Sequence, residues 1–103
     1  MIKDYDAATF NEDIANGPVL LKFFSKTCGP CKMLAFVLED VNKSFDDDLL
    51  IINIDFEENQ DLVSEYDVEG YPTMVMLKDG SEVARKEGLQ QKPVIEKMIK
   101  EAI

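Results

Sequence analysis

Thr27-Cys28-Gly29-Pro30-Cys31-Lys32 lies between the apolar run Val19-Leu20-Leu21-Lys22-Phe23-Phe24 and a helical-looking segment from Met33 to Phe45. Its two cysteines are the only ones in the chain. A Cys-x-x-Cys between a predicted strand and a predicted helix is the pattern of a dithiol/disulfide redox site. Residues three apart on a helix share a face, which brings the two sulfurs within reach of each other. A helix N-terminus carries partial positive charge and unpaired N–H groups, so a thiol placed there loses its proton more readily. Cys28 is therefore the expected attacking thiol. Pro30 suits a first turn, where its missing N–H costs nothing, and Gly29 lets a partner's backbone approach. The competing reading is an inert disulfide or a pair of buried thiols, which the helix-start position disfavours.

Outward from this stretch, the pattern alternates between strands and helices. Residues 2–5 suit a short edge strand. Asp6 is a good N-cap for a helix over about Ala7–Ala15, with Phe10 and Ile14 facing inward. Gly17 and Pro18 end it. Val19 to Phe24 is apolar on both alternations except at Lys22, as expected of a strand buried on both faces of a partly parallel sheet. In the helix after the cysteines, Leu34, Leu38, Val41 and Phe45 form an apolar stripe, and Met33 and Phe36 read as ordinary packing residues off it. Leu49 to Ile54 reads as a second interior strand, followed by a loop and a short helix over about Gln60–Tyr66. Met74–Leu77 and Glu82–Glu87 flank Lys78-Asp79-Gly80-Ser81, a hairpin around a Gly-containing turn. Pro93 opens a final helix whose inner face is Ile95, Met98, Ile99 and Ala102. The order β-α-β-α-β-α-β-β-α implies an α/β fold, a mixed sheet with helices on both faces.

The bulk numbers set outer limits. At 103 residues the chain is long enough for one domain with a real core and too short for two. A hydrophobic share of 46% and a charged share of 31% describe an ordinary soluble globular protein. No apolar run approaches the roughly 20 residues of a membrane span, and the polar start Met1-Ile2-Lys3-Asp4-Tyr5-Asp6 lacks a signal-peptide core. A cytoplasmic location is the expectation, and in a reducing compartment a purely structural disulfide is disfavoured. The net charge of −10 would repel nucleic acid and anionic membrane. With no histidine in the sequence, Cys–His nucleophilic pairs and Cys/His zinc sites are excluded. No metal or other cofactor is expected within one chain. A thiolate metal site would need two chains to supply four sulfurs.

With Cys28-Gly29-Pro30-Cys31-Lys32, the element order and Val68-Glu69-Gly70-Tyr71-Pro72-Thr73 all in place, the whole chain resembles the thioredoxin family. Lys78-Asp79-Gly80 matches the turn of that family's final hairpin, and Gly88 matches a glycine near its substrate surface. The resemblance implies a thioredoxin fold and protein-disulfide exchange, with Cys28 attacking a substrate disulfide and Cys31 resolving the mixed disulfide. It also implies that Pro72 follows a cis peptide bond, although an ordinary trans bond is the rule for X–Pro. Its loop would present the Tyr71 backbone to an extended peptide. Protein disulfides are the implied substrates, a thioredoxin reductase the implied electron donor, and a monomer the expected state.

Departures from the family pattern concern the site itself. Thr27 stands where thioredoxins usually have tryptophan, and Phe36 where a proline commonly kinks the second helix. Lys22 stands where the family usually buries an aspartate below the second cysteine, and Ile51 is assigned to the place of that aspartate's lysine partner. A lysine in an apolar strand is costly unless it is paired or deprotonated, because burial lowers its pKa. The other course is for the amine to reach a cavity or solvent beside the disulfide. A positive Lys22 near Cys31 would favour the thiolates and make the chain less reducing than its relatives. Two alternatives to a general reductase stay open: a thioredoxin-fold binding module whose redox chemistry is incidental, and a specialised redox protein with one partner.

Overall fold

A computed structural model of the chain describes residues 1–103. The elements run β1 (Ile2–Asp4), α1 (Phe10–Ala15), β2 (Pro18–Phe24), α2 (Gly29–Phe45), β3 (Leu50–Asp55), α3 (Gln60–Glu65), β4 (Thr73–Lys78), β5 (Ser81–Glu87) and α4 (Lys92–Ala102). A 3-10 turn over Asp46–Asp48 follows α2. This is the order expected from the sequence, with shifts at the ends. The largest is in α1, which starts at Phe10 rather than near Ala7. Asp6 does not cap it: its carboxylate accepts from the Ala8 N–H at 2.9 Å. That local turn competes with the helix for the first residues.

The five strands lie in the order β1-β3-β2-β4-β5. β1 and β2 each pair with β3 in parallel, while β4 is antiparallel to both β2 and β5. Asp79 and Gly80 close the β4–β5 hairpin at φ 51° and 85°, the left-handed pair that matches the twist of its strands and that glycine adopts without strain.

Alternation along the central strand divides the interior into two layers. Leu20, Ile51, Met74 and Met76 pack under Leu34, Leu38 and Val41 of α2 and Ile95, Met98 and Ile99 of α4. Val19, Leu21, Phe23, Ile52, Ile54, Val75 and Leu77 pack against Phe10 of α1 and Leu62 and Val63 of α3. Successive strand residues point to opposite faces, so helices on both sides are needed to cover β2. Met33 and Phe36 are not packing residues; they are 59% and 70% exposed, because Met33 lies on the flank of the inner stripe Leu34, Leu38 and Val41 of α2 and Phe36 on the face opposite it.

Candidate active site

Cys28 and Cys31 are joined as a disulfide with their Cα atoms 5.2 Å apart. Cys28 is the N-cap of α2 in extended backbone, with Gly29 and Pro30 as the first helical residues. The Cys31 N–H donates to Cys28 Sγ at 3.1 Å. A sulfur in the N-cap position thus receives one of the free N–H groups of a 17-residue helix, where the helix field also favours negative charge. Cys28 is 8% and Cys31 3% exposed, so the sequentially first cysteine is the more accessible. A Cβ built on Gly29 would meet nothing within 4 Å. The chain's own packing therefore does not require glycine there, and the open space faces outward.

The approach to Cys28 is fixed by polar contacts from the end of β3. Ser25, only 3% exposed, donates from Oγ to Glu57 Oε1 at 2.7 Å, and the Thr27 N–H donates back to Ser25 Oγ at 3.4 Å. Lys26 Nζ pairs with Glu58 at 2.8 Å and lies 3.7 Å from Asp55; the Glu58 carboxylate raises its pKa above the ordinary value. Asp55 in turn accepts from the N–H groups of Glu57 and Glu58. Thr27 is exposed beside the first cysteine.

Strand register brings the remaining candidates to the same end of the sheet. Thr73 opens β4 opposite Phe23, and Glu87 closes β5 opposite Thr73. The Tyr71–Pro72 peptide is cis. Pro72 is buried, and its carbonyl accepts from the Gly88 N–H at 2.8 Å. Gly88, at φ 80°, holds a conformation that favours glycine. Tyr71 is 46% exposed and sets its ring edge-on to Phe56 at 5.1 Å. Cys28, Pro72 and Gly88, distant in sequence, therefore belong to one rim.

Lys22 lies beneath this rim and is 6% exposed. It lines a recess of about 310 Å3 with Cys31, Phe24, Ser25, Lys26, Lys32, Ala35 and Asn53. Its Nζ lies 5.4 Å from the centre of the Phe24 ring, and no carboxylate pairs with it directly. Burial pushes its pKa below the ordinary 10.5, against the pull of Asp4 and Glu39. The Lys22 side chain thus borders the same recess as Cys31. In the register Asn53 pairs with Lys22, and Ile51 pairs with Leu20, two residues back on the same face of the sheet. Asn53 is also the one amide in Leu50-Ile51-Ile52-Asn53-Ile54, a stretch that is not apolar throughout. A polar residue inside an interior strand was the legible signal for it, just as Lys22 is in β2.

The comparisons with known proteins agree with this geometry. The thioredoxin family model matches residues 1–101. This chain belongs to the thioredoxin family. It is a dithiol–disulfide oxidoreductase. Similar curated relatives include the thioredoxin of Bacillus subtilis (strain 168), 37% identical over 91 residues and 88% of both chains. The thioredoxin of Pseudomonas aeruginosa is 40% identical over 87 residues, covering 82% of this chain and 81% of the relative. A point mutant of the thioredoxin from Halobacterium salinarum NRC-1 superposes with a TM-score of 0.86 at 32% identity. That match covers 98% of this chain and 88% of the other. As a thioredoxin-family fold, the sheet and helices described above set the Cys-Gly-Pro-Cys segment at the carboxyl end of β2, where a helix begins. No helix is long and apolar enough to cross a membrane.

Proposed function

We propose that residues 1–103 work as one thioredoxin domain that reduces protein disulfides, with Cys28 attacking and Cys31 resolving. The observation that carries this assignment is the Cys31 N–H aimed at Cys28 Sγ at 3.1 Å. Once the disulfide is reduced, the same N–H and the start of α2 favour a Cys28 thiolate, the reactive form. That thiolate attacks one sulfur of a substrate disulfide, and the other substrate sulfur leaves as a thiol. Cys31 then attacks Cys28 Sγ, closing the intramolecular disulfide and releasing the second substrate thiol. The dithiol is the whole redox group, so no metal or organic cofactor enters the scheme. Thr27, Gly29 and Pro30, with Tyr71, Pro72 and Gly88 across the rim, form the surface that receives the substrate chain.

A thioredoxin reductase is the proposed electron donor, and a cytoplasmic monomer the proposed working form. The net charge of −10 supports proteins, rather than nucleic acid or anionic membrane, as partners. The test is insulin-disulfide reduction coupled to candidate reductases. Cys28→Ser is expected to abolish turnover. Cys31→Ser should retain the first attack and accumulate a covalent mixed disulfide, visible by mass spectrometry and lost on adding dithiothreitol. The reverse pattern, trapping by Cys28→Ser with an inert Cys31→Ser, would exchange the two roles. A Cys28→Ser variant that preserved the biological role would point to the binding-module reading.

A further inference from the structure

Lys22 is 6% exposed and enters no ion pair, and a buried amine without a partner is costly to keep. It lines the recess of about 310 Å3 formed by β2, Asn53 of β3 and the first turns of α2. Lys26 and Lys32 line the same recess, and no carboxylate does. Lys26 is engaged by Glu58, whereas Lys32 is exposed and enters no ion pair. In a chain of net charge −10, two amines without a carboxylate partner therefore meet in one cavity. Asp4 and Glu39 act on Lys22 only from outside its lining. One atom of the lining needs a donor instead. Asp4, Asn53 and Lys22 occupy one row across β1, β3 and β2. Asn53 Nδ2 donates to Asp4 Oδ1 at 3.3 Å, which turns the amide so that its Oδ1 faces away from Asp4. That oxygen is buried and accepts no hydrogen bond, whereas buried polar atoms are nearly always paired. Two amines call for an anion, and the bare acceptor calls for an anion that still carries a proton.

We propose that this recess is a binding site for hydrogen phosphate, with Lys22 and Lys32 donating to its charged oxygens and Asn53 Oδ1 accepting its O–H. Two ammonium groups balance the two charges of the anion, and Asp4 holds the Asn53 amide in the orientation that exposes its oxygen to the ligand. Burial alone disfavours the ammonium form of Lys22; a bound anion supplies the opposite charge that favours it. The O–H separates this ligand from other anions of equal charge. Sulfate brings acceptor oxygens and no donor, so it leaves the Asn53 oxygen unpaired and sets another oxygen against it. Rejection of an analogue that lacks one hydrogen is characteristic of a site with a buried polar group. A phosphate monoester gives up its last proton at about pH 6 and meets the same obstacle above that, so the site favours the free anion over an ester. Cys31 borders the recess as an uncharged disulfide sulfur. Tyr71, Pro72 and Gly88 of the rim do not line it, which makes it separate from the surface that receives the substrate chain.

Calorimetric titration of the oxidised wild-type protein with sodium phosphate, sodium sulfate and methyl phosphate tests this at matched ionic strength. At about pH 8 all three are dianions, and only inorganic phosphate keeps an O–H. Phosphate should bind saturably, with sulfate and methyl phosphate at least about tenfold weaker, the factor that one lost hydrogen bond to a charged group produces. In the same protein the 13Cε resonance of Lys22 should titrate with an acid dissociation constant lowered about threefold or more by saturating phosphate, because the anion favours the ammonium. Equal responses to phosphate, sulfate and sodium chloride would reduce the effect to screening and overturn the proposal without any variant. Methyl phosphate binding as tightly as phosphate would overturn the role of the O–H. Lys22→Met should abolish binding. Lys32→Gln, a change at an exposed position, should weaken it about threefold or more while the protein stays folded; undiminished affinity in that variant would remove Lys32 from the site. Asn53→Ala should bring the phosphate-to-sulfate ratio close to one, and a ratio kept at the wild-type value would defeat the assignment of Asn53 Oδ1.

Discussion

At the scale of the residue, Lys22 sets a polar amine against the stability of an otherwise apolar strand. Its neighbours Leu21 and Phe23 are fully buried hydrocarbons, each contributing roughly 1.5–3 kcal/mol through removal from water. Lys22 takes a place of the same kind with an amine. Its folded-state pKa lies below the ordinary 10.5, so between those two values the unfolded chain holds a proton that the native chain does not. Stability contributed by this group consequently rises with pH through that window, and its penalty is fully felt below it. Lys22→Met should therefore stabilise the oxidised protein near neutral pH, by about 1 kcal/mol or more, and the gain should shrink as the solution approaches pH 10.5. Urea denaturation of both proteins across that range measures it; a gain independent of pH would separate the stabilisation from ionisation of the amine.

At the scale of the element, the short helices depend on contacts that their own residues do not supply. α3 has six residues and no side-chain cap, below the length at which a helix persists alone. Its C-terminal end is closed from β5: Arg85 donates to the carbonyl of Tyr66 at 2.6 Å and to that of Asp67 at 3.3 Å. The guanidinium is held by Glu82, with bonds of 2.8 and 2.7 Å, and Arg85 keeps the Glu82 carboxyl below its ordinary pKa. Arg85→Ala is expected to cost about 1.5–3 kcal/mol, the range for a hydrogen bond to a charged group. It should also speed amide hydrogen exchange in residues 62–66 more than in β2. Uniform acceleration across the chain would show that the loss is global rather than local. The long α2 needs no such help: Cys28, Pro30 and the Leu34–Leu38–Val41 stripe specify it from within, which is why its place beside the cysteines was legible. The start of α1 was not, because the Asp6 side chain could cap a helix or close a local turn, and only its surroundings chose.

At the scale of the molecule, the charge of −10 on 103 residues acts against compaction through self-repulsion. Raising sodium chloride from about 10 to about 150 mM shortens the Debye length from about 30 to about 8 Å. The melting temperature should rise over that interval, as differential scanning calorimetry would show. A fall would mean that ion pairs such as Lys3–Asp13 at 2.8 Å outweigh the net repulsion. The same scale explains how the rim is assembled. Cys28 arrives at the end of β2, the Asp55–Glu58 loop at the end of β3, Pro72 at the start of β4 and Gly88 after β5. Parallel β2 and β3 end where antiparallel β4 begins.

The amino-acid sequence by itself determined whatever is encoded within a few residues. That covers the Cys28–Cys31 spacing at a helix start, the Asp79-Gly80 turn, the period-2 and helical apolar patterns, and so the α/β order of the chain. These follow from local sterics, hydrogen bonding and the two periodicities of the backbone. Tertiary structure decided what depends on lateral register. Register set Asn53 beside Lys22; it tied Ser25 to Glu57, and it joined Gly88 to Pro72. Such neighbours lie tens of residues apart, and a one-residue slip of a strand sends a side chain to the opposite face. No spacing along the chain carries that information, because register is fixed by the packing of both sheet faces at once.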